Sequence, residues 1–262
     1  MVETIALQAL LTVPRGPEET VDDWYATARQ GIATTAIVTW QFGQAPKVFF
    51  YVSRIKDNSP VFTMALLRNF LHERADLSQC KAITAWSGGG THFRSNEAIS
   101  TAGVRSVQAL CQKSTAVADD AKCCPQVAIN HGVPKHFKNE RDRLFGACRT
   151  MTDPTAKAQE IPNEIDLLPA WLVNYDVYNQ MALQSGREVR MVAEFIHLDV
   201  NTLEHRQTFC KDFWLHSSRQ AFMAPISCCH SWLFRLNDAR ARNNQLCVDI
   251  PHSLELTLRP HS

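Results

Sequence analysis

Apolar residues in the first third of the chain follow two periods, one typical of strands and the other of a helix. Residues 31–41, GIATTAIVTWQ, and 47–55, KVFFYVSRI, are rich in β-branched and aromatic side chains, and the turn-forming residues FGQAP between them predict an antiparallel hairpin. In residues 61–75 the apolar side chains recur every three or four positions, which predicts an amphipathic helix. We expect Ser59 to cap this helix and Pro60 to be its first residue.

Two more strands and two more helices are predicted before residue 150. The segment KAITAW, residues 81–86, is typical of a strand and ends near three consecutive glycines, and a helix capped by Ser95 follows it. Residues 124–130, CPQVAIN, are typical of a short buried strand, and the apolar spacing indicates a further helix from about His136. The order of hairpin, helix, strand, helix, strand and helix predicts an α/β fold with a mixed sheet and flanking helices.

The second half of the chain favours strands. A polar, proline-containing segment at residues 151–164 predicts a linker. The candidate strands after it are AWLVNYDV (170–177), EVRMVAEFIHLDV (188–200), TFCKDFWL (208–215), SWLFRL (231–236), QLCVDI (245–250) and LELTLR (254–259). We therefore divide the chain into a lead-in (1–30), an α/β domain (31–150), the linker and a smaller β-rich region (165–262).

Composition and charge are those of an ordinary globular chain. There are 27 basic and 26 acidic residues, so the net charge of +1 does not by itself demand a polyanionic partner. Nine cysteines, an odd number without regular spacing, favour a reducing intracellular compartment. The first residues lack the pattern of a signal peptide and no apolar run approaches the roughly 18 residues of a membrane span, so we expect no membrane association.

Two motifs carry more specific information. The first is AWSGGGTHFRS, residues 85–95, which runs from a strand end through the glycines to His92 and Arg94. The second is NHGVPKHFKNERDRLFG, residues 130–146. Together they resemble the second and third active-site blocks of DDE-type transposases and integrases, and they occur in the same order as in that family. The resemblance covers about residues 30–150.

The resemblance implies a ribonuclease H-like fold in which three carboxylates, from two strand ends and a helix, hold two Mg²⁺ or Mn²⁺ ions for phosphodiester chemistry. Asp142 falls at the third acidic position, but Gly88 stands where the family has the second aspartate. The end of the first predicted strand, residues 39–41, has no aspartate either. We therefore expect a domesticated, catalytically inactive transposase-like domain, unless Asp22, Asp23 or Asp57 replaces a missing ligand.

The same resemblance suggests DNA as a partner. Residues placed to approach phosphate are His92, Arg94, His136, Lys138 and Arg141. In a eukaryotic cell such a protein would act in the nucleus. The alternative reading of the first motif is structural: Gly88–Gly90 only make a tight turn from strand to helix, and His92 caps or packs locally.

A different class of function also remains open. The chain could be a non-enzymatic scaffold that uses the same fold to bind other proteins or to self-associate. A DNA-binding domain should have a continuous positive surface beside Asp142 and the glycine turn, whereas a scaffold should have an exposed apolar patch in the second half of the chain.

Overall fold

The computed structural model of the chain describes residues 2–13, 30–54, 57, 59–88, 90, 93–118, 125–132, 162–186, 192–199, 203–210, 231–236 and 248–249. The chain divides into two compact units. The first unit comprises Val2–Asn58 and Phe137–Phe209, and the second comprises Ser59–His136 and Cys210–Ser262. Each unit contains a mixed sheet and helices, which confirms the mixed α/β class. No helix in the described ranges is long and apolar enough to cross a membrane.

The strands and helices are numbered in chain order. The strands are β1 (Val2–Val13), β2 (Gln30–Trp40), β3 (Lys47–Ser53), β4 (Ala82–Ser87), β5 (Gln126–His131), β6 (Val192–His197), β7 (Ser231–Leu236) and β8 (Val248–Asp249). The helices are α1 (Pro60–Asn69), α2 (Asn96–Lys113), the short α3 (Thr115–Ala118), α4 (Glu164–Gln184) and α5 (Leu203–Phe209). A π-helical turn, Phe70–Arg74, directly follows α1.

The sheet of the first unit is built on β2, β3 and β6. Strands β2 and β3 are antiparallel, β6 runs parallel to β3, and β1 pairs with β2 in antiparallel register. The predicted hairpin is confirmed. Its turn is closed by a 3.1 Å hydrogen bond from the Gln44 backbone nitrogen to the Gln41 carbonyl, and Gly43 adopts a φ of 74°, which favours glycine.

Helix α4 covers one face of this sheet. Leu167 and Trp171 pack with Ile32 and Val52, while the ring of Phe195 lies 5.8 Å from that of Trp171. The buried positions of α4 that contact the sheet thus recur four residues apart, so they lie on one face of the helix. Burial of these large apolar side chains provides the core of the first unit.

The structure corrects the strand predicted at AWLVNYDV, which lies inside α4. The helix begins where the Asn163 side chain accepts hydrogen bonds from the backbone nitrogens of Ile165 and Asp166. Strands β6 and β7 confirm two of the other predictions, and β8 covers two residues of QLCVDI. Because α4 and α5 contain more residues than these three strands, the described part of 165–262 is not β-rich.

Several predictions lie partly or wholly outside the described residues. They are the helix from His136, most of the linker 151–164, most of TFCKDFWL and all of LELTLR. The described end of TFCKDFWL, Thr208–Phe209, belongs to α5 rather than to a strand.

The sheet of the second unit is built on β4, β5 and β7. Strands β4 and β5 are parallel, and β7 pairs with β5 in antiparallel register, followed by β8. Both predicted caps are confirmed: the Ser59 hydroxyl accepts from the Phe62 backbone nitrogen, and the Ser95 hydroxyl accepts from that of Ala98. Because β4 and β5 are parallel and paired in register, their carboxyl ends lie side by side at one edge of the sheet. Helix α2 begins at Asn96, after the turn that follows β4.

Candidate functional site

The ends of β4 and β5 form the candidate site, because open α/β sheets bind ligands at the carboxyl ends of their parallel strands. Ser87 is the last residue of β4 and is the register partner of His131, the last residue of β5. Immediately after this pair, the Gly132 backbone nitrogen donates a 2.9 Å hydrogen bond to the Ser87 carbonyl. The two motifs of the sequence thus start from directly adjacent strand ends.

Buried polar side chains connect these ends. The Ser87 hydroxyl and His131 Nδ1 share a 2.7 Å hydrogen bond, although Ser87 is only 7% exposed and His131 only 4%. Asn130 Nδ2 donates to the Ala85 carbonyl at 3.3 Å, and the Ser231 hydroxyl of β7 donates to Asn130 Oδ1. Because buried polar groups are costly without partners, this network stabilises one arrangement of the three strands.

An aromatic ring closes one side of the network. Trp232 packs edge-on against the His131 imidazole, with 5.1 Å between the ring centroids. A serine hydroxyl bonded to an imidazole is one half of a nucleophile and base arrangement. Here both side chains are almost fully buried, so the pair is better suited to hold the strand ends together than to attack a substrate.

None of the described residues at these strand ends is acidic. Gly88 follows β4 directly, and a Cβ atom at this position would have no neighbouring atom within 4 Å. A carboxylate would therefore fit there, although glycine provides none. Within the described ranges, no group of three or more histidine, cysteine, aspartate or glutamate side chains is arranged to hold a metal ion.

Among the residues predicted to approach phosphate, Arg94 lies within the described ranges. Arg94 lies in the turn before α2 and is partly buried, and its backbone nitrogen donates a 3.0 Å hydrogen bond to the Gly90 carbonyl. The predicted site residues outside the described ranges are His92, His136, Lys138, Arg141 and Asp142.

The end of β2 and the alternative aspartates also bear on the missing carboxylates. Thr39 and Trp40 end β2, and the Thr39 side chain is buried. Asp57 forms a salt bridge with Arg206, which already provides a cationic partner for its carboxylate. Asp22 and Asp23 lie outside the described ranges.

A second charged cluster, which the sequence did not indicate, lies in the first unit. The Glu164 carboxylate, 2% exposed, accepts hydrogen bonds from Arg54 Nε at 2.6 Å and from His197 Nε2 at 3.3 Å. Burial alone raises the pKa of the Glu164 carboxyl, but the hydrogen bonds that it accepts from Arg54, from its own backbone and from His197 together outweigh burial and hold this pKa below its ordinary value. The same bond to Glu164 raises the pKa of the Arg54 guanidinium.

The cluster joins three elements. His197 ends β6, Arg54 follows β3, and Glu164 is the first residue of α4. The hydrogen bonds of Glu164 therefore attach the start of α4 to the ends of the parallel strands β3 and β6. An acidic residue just after the Asn163 cap is the one local signal of this cluster, because acidic side chains favour helix N-termini.

Comparison with protein families, with curated proteins and with solved structures gives no match to this chain.

Proposed function

We propose that residues 30–150 carry a transposase- or integrase-like domain of the ribonuclease H-like type that has lost metal-dependent strand transfer and has kept contact with DNA. The observation that carries the proposal is the composition of the strand end after β4. Gly88 occupies the position of the family's second aspartate, and the last residues of the two parallel strands, Ser87 and His131, are hydrogen-bonded to each other and supply no carboxylate.

The order of elements supports the family resemblance. The hairpin of β2 and β3 is followed by α1, β4, α2 and β5, as the resemblance implies. The motifs that carry the resemblance are separated by 44 positions at Ser87 and His131, yet these residues are hydrogen-bonded. In an active member of the family, the corresponding strand and helix ends would bring the metal-binding carboxylates together.

The proposed loss of activity follows from metal chemistry. Mg²⁺ and Mn²⁺ need hard oxygen ligands, and a glycine side chain supplies neither an oxygen nor a negative charge. A single carboxylate at Asp142 cannot hold two cations. The transition-state stabilisation that the metals provide, several kcal/mol, would then be missing.

The proposal is tested by titrating the full chain with Mn²⁺ and Mg²⁺ in a calorimeter. We expect the unaltered chain to bind neither ion at micromolar concentration. The variant Gly88→Asp should gain measurable Mn²⁺ binding, because a side chain fits at this position. Gly88→Asn, which has almost the same shape without the charge, is the matched control and should not bind.

Asp142 provides the second arm of the test. Adding Asp142→Asn to Gly88→Asp should abolish the gained binding if both carboxylates contribute to one site. Micromolar binding by the unaltered chain that Asp142→Asn removes would contradict the loss of activity. Mg²⁺ or Mn²⁺ would then be the cofactor of an active nuclease or strand transferase.

The outer face of α4 favours a second candidate, a scaffold that self-associates. Six large apolar side chains of this helix are exposed: Ile165, Leu172, Val173, Val177, Met181 and Leu183. Such a surface marks interaction sites in many proteins. A scaffold should be oligomeric in sedimentation experiments and become monomeric on double substitution of Val173 and Val177 by serine, with Gln180→Ser as the control. A chain that is monomeric at all concentrations would contradict this candidate.

A further inference from the structure

The outer face of α4 carries most of the exposed large apolar side chains in the described part of the chain. Of the ten such residues, six belong to this helix: Ile165, Leu172, Val173, Val177, Met181 and Leu183. The other four lie on four different parts of the fold: Phe42, Trp86, Val192 and Leu203. The exposed apolar surface is thus concentrated on one helix, which is typical of an interaction site.

A row of residues along this face has a regular spacing. Five exposed residues follow one another at intervals of four positions and are called the outer row below: Ile165, Pro169, Val173, Val177 and Met181. Because residues four apart are neighbours on a helix surface, the outer row forms one apolar ridge, about 24 Å long at 1.5 Å per residue. Val173 is its centre, and the spacing is the same on both sides of this residue.

The charges of α4 argue against two kinds of partner. The helix contains three acidic residues, of which Asp176 is exposed, and no lysine or arginine. The strands beneath it, β2, β3 and β6, add one lysine, Lys47, and one acidic residue, Glu194. A helix that binds an anionic membrane or phosphate groups needs several basic side chains around its apolar face. The outer row therefore fits an apolar protein surface better than a membrane or a nucleic acid.

We propose that the outer row packs against the outer row of a second copy of the chain, antiparallel and about a two-fold axis at Val173. The six large apolar residues of α4 are 45% to 64% exposed. They leave on the order of 600 Å² in water, so two copies would bury about 1,200 Å², the lower end of the range for stable interfaces. A two-fold axis requires a surface that matches itself, as a ridge evenly spaced about its centre does. The inference rests on the second candidate function, self-association, and not on contact with DNA.

Charge and the helix dipole favour the antiparallel orientation over the parallel one. In a parallel pair each Asp176 would lie beside its own copy, and the two carboxylates would repel each other. Rotation about an axis at Val173 instead places Asp176 opposite position 170, which is an alanine. The positive end of each helix dipole then lies beside the negative end of the other.

Cysteine cross-linking tests the orientation. Val173→Cys should form an interchain disulfide on mild oxidation, because the axis brings this position next to its own copy. Val177→Cys should not, since the antiparallel pair separates its two copies by about 12 Å along the helix, and a disulfide spans at most about 7 Å between Cα atoms. The unaltered chain, which has nine cysteines, is the control for background cross-linking.

Sedimentation equilibrium tests the partner. The unaltered chain should be dimeric at about 50 µM, as an interface of this modest size implies. Val173→Lys and Val173→Glu should each weaken the dimer by at least about 100-fold, because two like charges then meet at the axis. An equal mixture of these two variants should recover a heterodimer, since the opposite charges pair. Leu203→Lys, at an exposed apolar residue of α5, is the matched control and should dimerise as the unaltered chain does.

The outcomes separate this inference from the functions proposed above. A dimer in which Val177→Cys cross-links as fast as Val173→Cys would overturn the antiparallel pairing and leave the self-associating scaffold standing. A dimer that survives Val173→Lys would place the interface elsewhere and overturn the inference. A chain that is monomeric at all concentrations would overturn both the inference and the scaffold. None of these results affects the metal titration of Gly88→Asp, which tests the transposase-like function.

Discussion

Gly103 lies in α2 at a place where the helix approaches β7 too closely for any side chain. A Cβ atom at this position would lie 2.5 Å from ring atoms of Phe234, which is fully buried and cannot swing away freely. We expect Gly103→Ala to lower the free energy of unfolding by about 1–3 kcal/mol, the usual cost of overpacking a core. Chemical denaturation measures this change directly.

Gly88→Ala is the matched control for this substitution. It adds the same methyl group at a position with no atom within 4 Å, so its stability should stay within about 0.5 kcal/mol of the unaltered chain. If Gly103→Ala proves as stable as Gly88→Ala, the close packing of α2 on β7 is contradicted.

The buried carboxylate of Glu164 gives the stability of the chain a defined pH dependence. Its pKa in the folded state is held below the ordinary value of 4.5. A carboxyl whose pKa is lowered by folding stabilises the protein fully above its ordinary pKa, and this stabilisation is lost as the pH falls through the folded-state value. Acidification below about pH 4.5 should therefore weaken the attachment of α4 to β3 and β6.

Urea unfolding of Glu164→Gln across a pH series tests this expectation. At pH 7 the variant should be less stable by about 1–3 kcal/mol, because Arg54 and His197 lose an ionised acceptor. The difference should shrink as the pH falls. Glu204→Gln, at an exposed residue of α5, is the control and should follow the unaltered chain at every pH. A difference that stays constant with pH would show that the charge of Glu164 does not matter.

At the scale of elements, one lysine stabilises the irregular end of α1. The amine of Lys113, in the last turn of α2, donates to the carbonyls of Leu71 at 2.8 Å, His72 at 2.6 Å and Ala75 at 3.4 Å. These carbonyls lie in or next to the π-helical turn, where the regular hydrogen-bond pattern of the α-helix is interrupted. The ammonium group therefore takes the place of missing backbone partners.

We expect Lys113→Met to loosen this turn while keeping the apolar stem of the side chain. The free energy of unfolding should fall by about 1–3 kcal/mol, as for hydrogen bonds to a charged group, and amide hydrogen exchange should accelerate in residues 70–75. Lys47→Met removes an exposed lysine without an ion pair in the described ranges and should change neither quantity. Unchanged exchange in Lys113→Met would contradict the capping role.

Elements with local signals could be predicted from the sequence. Ser59 and Ser95 each accept a hydrogen bond from the backbone nitrogen three residues later, and the hairpin turn contains Gly43, whose positive φ favours glycine. Helix α4 was wrongly predicted as a strand because it is apolar on both faces: Trp171 and Tyr175 are buried, while Leu172 and Val173 are exposed. A helix with this composition has no clear period of 3.6 residues.

The site was predictable only in part, for a similar reason. The glycines after β4 are a local signal, and the turn was expected at the end of that strand. The bond between Ser87 and His131 depends on the register of two parallel strands that are joined through α2, and no local pattern specifies such a register. The same limitation applies to Glu164, whose partners lie 110 and 33 positions away.

At the scale of the whole molecule, both compact units are built from two separate stretches of chain. A fragment of residues 31–150, the predicted α/β domain, would lack α4 and β6 of the first unit and β7 of the second. It would expose Ile32 and Phe50 to water. We expect this fragment not to unfold cooperatively and to lack the near-ultraviolet circular dichroism of packed aromatic residues. A sharp unfolding transition would instead support the predicted domain boundaries.

The parallel pairing of β3 with β6 has a consequence for synthesis on the ribosome. Val192 follows Ser53 by 139 positions, so at roughly 5–20 residues per second the nascent strand waits about 7–30 s for its neighbour. During that time one edge of β3 carries unpaired backbone groups, and a bare strand edge is a template for wrong pairing. The sheet of the first unit is therefore completed only after most of the chain has been synthesised, and until then this edge of β3 is the place where wrong pairing starts.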